Sequence, residues 1–369
     1  MNKVTISRLE FCAMMLLFLM GSTIVVGLNF SVKEDSIVAA IVDMVIGVVL
    51  FYFYLLIMKR SSWKEFVPLL ELGFGKILSK GVAILFCLYF LYIAARVTND
   101  FAFFTTQIIY PDAPTNFAVL PFLVVIGYCV ILGVEAVARS SIIILVFFSI
   151  ITVTLWIAGF TSEEFQGRYL LPILGQGWKP IFEAVFPRGV TFPYGELVVF
   201  LVLIPLVTLK QKLMKVAWIP IVLSGTIIVV TMVLTMGILH ATFADQHYFP
   251  FVQAMELVTY LDIIEHFEIF TYLLLIGGGF IKIYVFIFGA LTILMQLFKL
   301  KLTKIHIIAL MSVVYLLTFY KSESITEHLY IGLEIVPKYL HLPVQIGLPF
   351  ILGIVVFLRT KRPPNTYKG

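Results

Sequence analysis

The residues best suited to chemistry lie in one apolar stretch, FEAVFPRGVTFPYGELVVFLVLIP, at 182–205. Pro187, Gly189, Pro193 and Gly195 fall close together there, and Glu196 follows them. Proline removes a backbone donor and clashes with the preceding turn, and glycine weakens the helix further. Backbone groups freed in this way are tolerated in hydrocarbon only where they line a protein cavity. Residues 191–196 are therefore expected to be unwound against a polar pocket. Glu196 would open a second half-helix, where a carboxylate favours the free N–H groups. A plain proline kink packed against its neighbours is the simpler alternative. A weaker break, Met20-Gly21-Ser22-Thr23-Ile24 with Gly27 beyond it, reads either as an interruption or as small residues at a helix contact.

Other ionisable residues sit inside apolar runs. Asp43 is one. Arg96 and Asp100 are four apart, hence on one face, with Asn99 beside them. Lys282 follows Gly277-Gly278-Gly279. Charges at such depth are costly and normally face the bundle interior. Arg96 and Asp100 read as a self-contained pair or as cavity residues. Lys282 is expected nearer a surface, with its ammonium snorkelling. His240, His247, His266, His306, His328 and His341 have no metal-ligand spacing and are expected at interfaces. No HExxH, P-loop, dinucleotide fingerprint or CxxC occurs, so nothing calls for a metal, a cofactor or an enzyme. Cys12, Cys87 and Cys129 fall in apolar runs as small core residues.

These residues need elements to hold them, and the composition says which. Hydrophobic residues make up 61% of the chain and charged residues 13%, too few charges for a soluble domain of this size. Runs of about 20 apolar residues span a bilayer. They fall at 9–30, 36–58, 81–109, 115–134, 140–160, 182–209, 216–240, 266–298, 303–320 and 328–358. The last could instead be a short surface helix followed by one span. The first run begins at Leu9, lacks a cleavage site and is read as a retained helix. The expected class is an all-α integral membrane protein with about ten transmembrane helices.

The basic residues follow that layout. With the N-terminus in the cytoplasm, Lys3, Arg8, Lys59, Arg60, Lys64, Lys76, Lys80, Arg139, Lys210, Lys212 and Lys215 fall inside. So do Lys299, Lys301, Lys304, Arg359, Lys361, Arg362 and Lys368. Lys33, Arg168, Lys179 and Lys321 fall outside, which is the bias that sets orientation. The basic clusters lie between apolar runs, so they mark topology and give no reason to invoke nucleic acid. Residues 62–80 are too charged to span. Phe66, Leu69, Leu70, Phe74, Ile77 and Leu78 recur there at helical steps, as in an interfacial amphipathic helix.

Ten spans divide into two five-helix repeats, at 9–160 and 182–358, within a single transmembrane domain covering 1–369. Many secondary transporters are inverted repeats of this kind (LeuT-like), with the site where the first helix of each repeat is broken. Those are the first and sixth helices, which carry the two candidate breaks.

At this point the chain resembles the endospore germination permeases, the B subunits of Ger-type nutrient germinant receptors. These belong to the amino acid–polyamine–organocation transporter superfamily. Phe192-Pro193-Tyr194-Gly195-Glu196 is similar to the family's Phe-Pro-aromatic-Gly-Glu stretch, and Arg168-Tyr169-Leu170-Leu171-Pro172 and residues 252–268 also fit. The family often has an Arg between two acidic positions where this chain reads Glu265-His266-Phe267-Glu268. The resemblance implies a sensor in the inner membrane of the spore, a multi-pass cell membrane protein with A-type and C-type (lipoprotein) subunits as partners. It implies a small nutrient ligand, an amino acid or similar. The site would use Gly21, Ser22 and Thr23 with Thr191, Phe192, Tyr194, Gly195 and Glu196, and more remotely Asn99 and Asp100. A zwitterion would meet half-helix ends, and its ammonium would lie against Phe192 and Tyr194. An ordinary secondary transporter of amino acids or related solutes is the alternative.

Overall fold

The computed structural model describes residues 5–110, 113–259, 266–320 and 324–360. Lys3, Glu265, Lys321, Lys361, Arg362 and Lys368 of the expectations above lie outside the described residues. The first helices are α1 (Arg8–Met20), α2 (Thr23–Val26), α3 (Ser36–Arg60), α4 (Phe66–Phe104), α5 (Thr115–Leu132) and α6 (Val134–Thr161). Next come α7 (Trp178–Ala184), α8 (Phe200–Leu203), α9 (Leu213–Val216), α10 (Trp218–Leu239), α11 (Ala241–Ala244) and α12 (Pro250–Leu257). The last are α13 (Glu268–Phe298), α14 (Lys304–Thr318), α15 (Ile325–Tyr330) and α16 (Leu348–Arg359). No strand occurs among the described residues.

Eight helical stretches there are long and apolar enough to cross a membrane. The protein is therefore a multi-pass helical membrane protein. Two of the expected spans fall short of that length: the first is divided into α1 and α2, and α14 has 15 residues.

Burial sorts the helices. In its most apolar window the stretch Trp178–Leu206 is 83% buried, against 28% for α5 and for α6. The broken helix thus runs through the middle, and α5 and α6 turn their apolar faces outward. α1 is also central. It opens with a capping box, in which the Glu10 N–H donates to Ser7 Oγ at 3.2 Å and the Ser7 N–H donates to Glu10 Oε2 at 2.6 Å. From Ala13 to Met20 every residue is buried, as expected of a helix apolar on all sides.

Phenylalanines lock these central helices together. Phe18 of α1 meets Phe200 of α8 edge-to-face at 5.1 Å and Phe286 of α13 at 5.1 Å. Phe11 meets Phe200 at 5.3 Å, and Phe90 of α4 meets Phe286 at 5.8 Å. Each pair adds about 0.5–1.5 kcal/mol beyond its buried area.

The segment 62–80 is helical from Phe66, but it is not a uniform amphipathic helix. Gly75, at φ 76° and ψ 173°, interrupts α4 in a conformation that suits glycine. Phe66, Leu69 and Leu70 before the break are buried, whereas Ile77 after it is 90% exposed. The kink explains why one apolar stripe in sequence serves two surfaces. α5 and α6 meet at Gly133 (φ 92°), so Glu135 and Arg139 lie within the start of α6. Glu135 Oε1 there accepts from the Thr5 N–H at 2.8 Å.

The chain before α1 is tied to the end of the sixth apolar run. The Ile6 N–H donates to Leu206 O at 3.1 Å, and the Thr208 N–H donates to Ile6 O at 2.9 Å. Both points lie on one face, so an even number of crossings separates them. Single cysteines at Thr5 and Thr208, in a background without Cys12, Cys87 and Cys129, should react with an impermeant maleimide from the same side of sealed vesicles. Labelling from opposite sides would refute this arrangement.

Candidate functional site

Both expected breaks are present. α1 stops at Gly21 (φ 10°, ψ −124°), Ser22 follows, and α2 ends at Gly27 (φ 72°). In the sixth run, α7 gives way to a wide winding over Val185–Tyr194 and a tight one over Gly195–Val199 before α8. Within it Phe186 (φ −118°, ψ 126°) and Phe192 (φ −123°, ψ 123°) are extended. Each precedes a proline, whose ring pushes the preceding residue out of the helical region. The prolines thus put Phe192 in the break, with Tyr194 and Glu196 just after it.

A buried ion pair, together with glycine packing, joins the two breaks. Lys282 Nζ of α13 lies 2.6 Å from Glu196 Oε2, with the two side chains 0% and 2% exposed. The same ammonium lies 4.5 Å from the centre of the Phe192 ring and 5.5 Å from that of Phe18. Glycines allow this approach. A Cβ at Gly21 would come within 2.7 Å of Lys282 Cδ, and one at Gly278 within 2.8 Å of the Gly21 nitrogen. Lys282 is therefore at the centre of the bundle and does not snorkel. Its carboxylate partner explains the difference, because a paired charge can stay where a lone one would seek water.

Beside the pair is a cavity of about 50 Å³, lined among others by Ser22, Arg96, Asp100, Phe192, Glu196 and His341. A single water needs roughly 10–15 Å³ of such space, so a few would fit. Ser22 Oγ is buried with no hydrogen-bond partner among the described residues. A second, larger cleft of about 380 Å³ is lined by Ser31, Glu183, Arg188, Glu334 and Lys338. Leu333 lines both spaces. At the cleft Arg188 pairs with Glu334 at 3.4 Å and donates to Ser31 Oγ at 2.9 Å.

Arg96 and Asp100 do not pair with each other, and both line the cavity. Arg96 Nη2 donates to the His328 carbonyl, and Asp100 Oδ1 contacts His328 Nε2 at 2.7 Å. Asn99 Nδ2 lies 3.4 Å from His328 Nδ1 and lines a separate cleft. His328 and His341 are thus buried, not interfacial. The run 328–358 enters through wide windings at Ile331–Ile335 and Pro337–Gly347, with Pro343 inside the second. These carry His341 and Gln345 inward. Tyr89 Oη lies 2.8 Å from His341 Nδ1, Gln345 Nε2 donates to Tyr89 Oη at 2.6 Å, and Tyr54 Oη donates to Gln345 O at 2.6 Å. The signal in the sequence was the i,i+4 pair His341 and Gln345 in an apolar, proline-bearing run.

The other expected site residues take different places. Thr191 is satisfied locally, donating to Pro187 O at 2.8 Å. Thr23 borders a small gap of about 10 Å³ with Thr231 and Thr235. Tyr194 packs where a Cβ at Gly47 would stand, and Gly195 lies against the Gln345 side chain. Asp43 accepts from Asn29 Nδ2 at 2.7 Å and packs against Gly189 of the sixth-run break.

A profile of spore germination proteins matches residues 5–326. The chain belongs to the spore germination protein family. It is 28% identical over 365 residues to spore germination protein KB of Bacillus subtilis (strain 168), covering 98% of this chain and 97% of that protein. Spore germination protein A2 of the same organism is 25% identical over 169 residues, 45% of each chain. The family match includes both breaks and Lys282, and ends before His328, His341 and Gln345.

The glycine packing gives a sharp contrast between neighbours. A Cβ at Gly278 meets backbone of Gly21, whereas one at Gly279 meets nothing within 4 Å. Gly278→Ala should therefore destabilise the purified protein by about 1–3 kcal/mol through overpacking. Gly279→Ala should be neutral or stabilise by up to about 1 kcal/mol, since alanine is the better helix former. Thermal unfolding in detergent would show it, and equal effects would refute the contact.

Proposed function

We propose that this protein is a nutrient-sensing membrane subunit of a spore germinant receptor. On this reading it binds a small polar germinant in the cavity between the broken first and sixth helices. One observation carries the reading: a buried ion pair, together with glycine packing, staples both breaks together beside a cavity that keeps an unpartnered Ser22 hydroxyl. Membership of the spore germination protein family supplies the biological setting.

The germinant would meet Ser22 and Asp100 directly, next to Phe192 and Glu196, which hold Lys282. Gly21, Thr23, Thr191, Tyr194, Gly195 and Asn99 would shape the breaks and their surroundings. Access would run through the larger cleft past Leu333, with the Arg188–Glu334 pair at its mouth. The cavity is small, so occupancy by a nutrient requires the two breaks to separate. That separation would be the signal, passed to A-type and lipoprotein subunits in the inner membrane of the spore. The shift can be no larger than the difference in the ligand's affinity for the two arrangements. The two breaks also suit a two-repeat, transporter-like plan. For that reason a secondary transporter of amino acids or related solutes stays as a second reading, distinguished by uptake of labelled solute into proteoliposomes.

Spores lacking this chain should lose germination to a defined nutrient set. Wild-type complementation should restore it, and Glu196→Ala should restore less than about a tenth of the rate, the loss expected when a buried cation is left without its partner. Full restoration by Glu196→Ala at wild-type nutrient doses would overturn the site assignment.

A further inference from the structure

The sequence reading places a ligand's ammonium against Phe192. In the structure that place is taken. Lys282 Nζ has Glu196 at 2.6 Å and the rings of Phe192 and Phe18 at 4.5 and 5.5 Å, the surroundings proteins use to recognise an ammonium. The stem of Lys282 is seated by Gly21, where any side chain would collide with it. A ligand bringing its own ammonium would have to sit beside this cation or drive it out. Both are costly in a core where Lys282 is 0% exposed.

We infer that Lys282 is a built-in ammonium filling the cation subsite of the pocket, so that the ligand taken by the adjoining cavity is a small polar molecule without an ammonium group. This rests on the reading of the cavity as a ligand site. What remains open to a ligand is the hydroxyl of Ser22, the side chains of Arg96 and Asp100, and His341. Such a surface offers donors and acceptors of both kinds, which suits hydroxyl-bearing neutral solutes better than amines. Lys282 is then a specificity-determining residue: removing its ammonium should convert the pocket into an amine site.

The test is chemical rescue on the purified full-length chain in detergent, followed by thermal unfolding. Lys282→Ala removes the equivalent of n-propylammonium, which is the probe. The expected result is a lowered midpoint for Lys282→Ala that n-propylammonium chloride raises saturably in the millimolar range. Wild type should bind it at least tenfold more weakly. Sodium chloride and n-propanol should have no such effect, and adding Glu196→Gln to Lys282→Ala should abolish the response. Wild type should also be unmoved by glycine.

Stabilisation of wild type by n-propylammonium or glycine as strong as that of the variant would overturn the proposal, because the subsite would then be open. A well-folded Lys282→Ala with no response would overturn it as well. If Lys282→Ala does not fold, Lys282→Met keeps the apolar stem and loses only the charged nitrogen, and ammonium chloride is its probe, with the same two outcomes. The readout needs no spores. An unaltered germination phenotype would therefore count against the receptor reading while leaving the occupancy of the subsite to be decided by the rescue.

Discussion

A charge in the middle of a membrane protein must be paired, and the pairing of Lys282 with Glu196 organises the rest of this structure. The lysine comes from an otherwise regular helix, α13. The carboxylate comes from a segment that cannot be regular, because Pro187 and Pro193 break it. For the two to meet, α13 must lie directly against the sixth-run break, and the same helix also packs against the first break. That contact exists because Gly21 and Gly278 face each other without side chains. One electrostatic requirement and one glycine contact thus fix the mutual position of three central helices. The phenylalanines Phe11, Phe18, Phe200 and Phe286 add the apolar packing on the same helices.

The pair also determines what the cavity can do. Removing two ions from water costs several kcal/mol each, and their attraction offsets this only in good geometry. Such a pair contributes little net stability, but losing either partner leaves a buried charge uncompensated. On the proposed reading, a ligand entering beside it would act by changing the geometry of the pair. Asp100 and Arg96 are both engaged with His328, and Tyr89, His341 and Gln345 engage one another.

Much of this was legible in the sequence. Hydropathy placed the spans because a bilayer demands unbroken apolar length, and α3, α5, α10 and α13 follow the expected runs closely. The break in the sixth run was readable because Phe192-Pro193 and Phe186-Pro187 constrain the backbone locally. The depth of Lys282 was not readable. α13 has 31 residues, longer than a bilayer needs, and only the partner carboxylate shows which part lies at the centre. His328 and His341 were misplaced for a related reason. They stand near the start of an apolar run, but the wide windings at 331–347 carry them inward, and such windings leave little trace in hydrophobic periodicity. The Asn29–Asp43 hydrogen bond depends on a turn with Asn29 at φ 59°, which the sequence did not announce.

The central claim is energetic coupling between Glu196 and Lys282, and a double-mutant cycle on unfolding of the detergent-solubilised protein tests it most directly. Glu196→Gln and Lys282→Met are measured separately and together. Each alone leaves one buried charge unpaired and should cost about 3–5 kcal/mol. Together they should cost much less than the sum, giving a coupling of at least about 2 kcal/mol, within the range seen for contacting residues. Effects that add to within about 0.5 kcal/mol would mean that the two charges do not meet in the folded protein. The ionic link in the staple between the two breaks would then not exist.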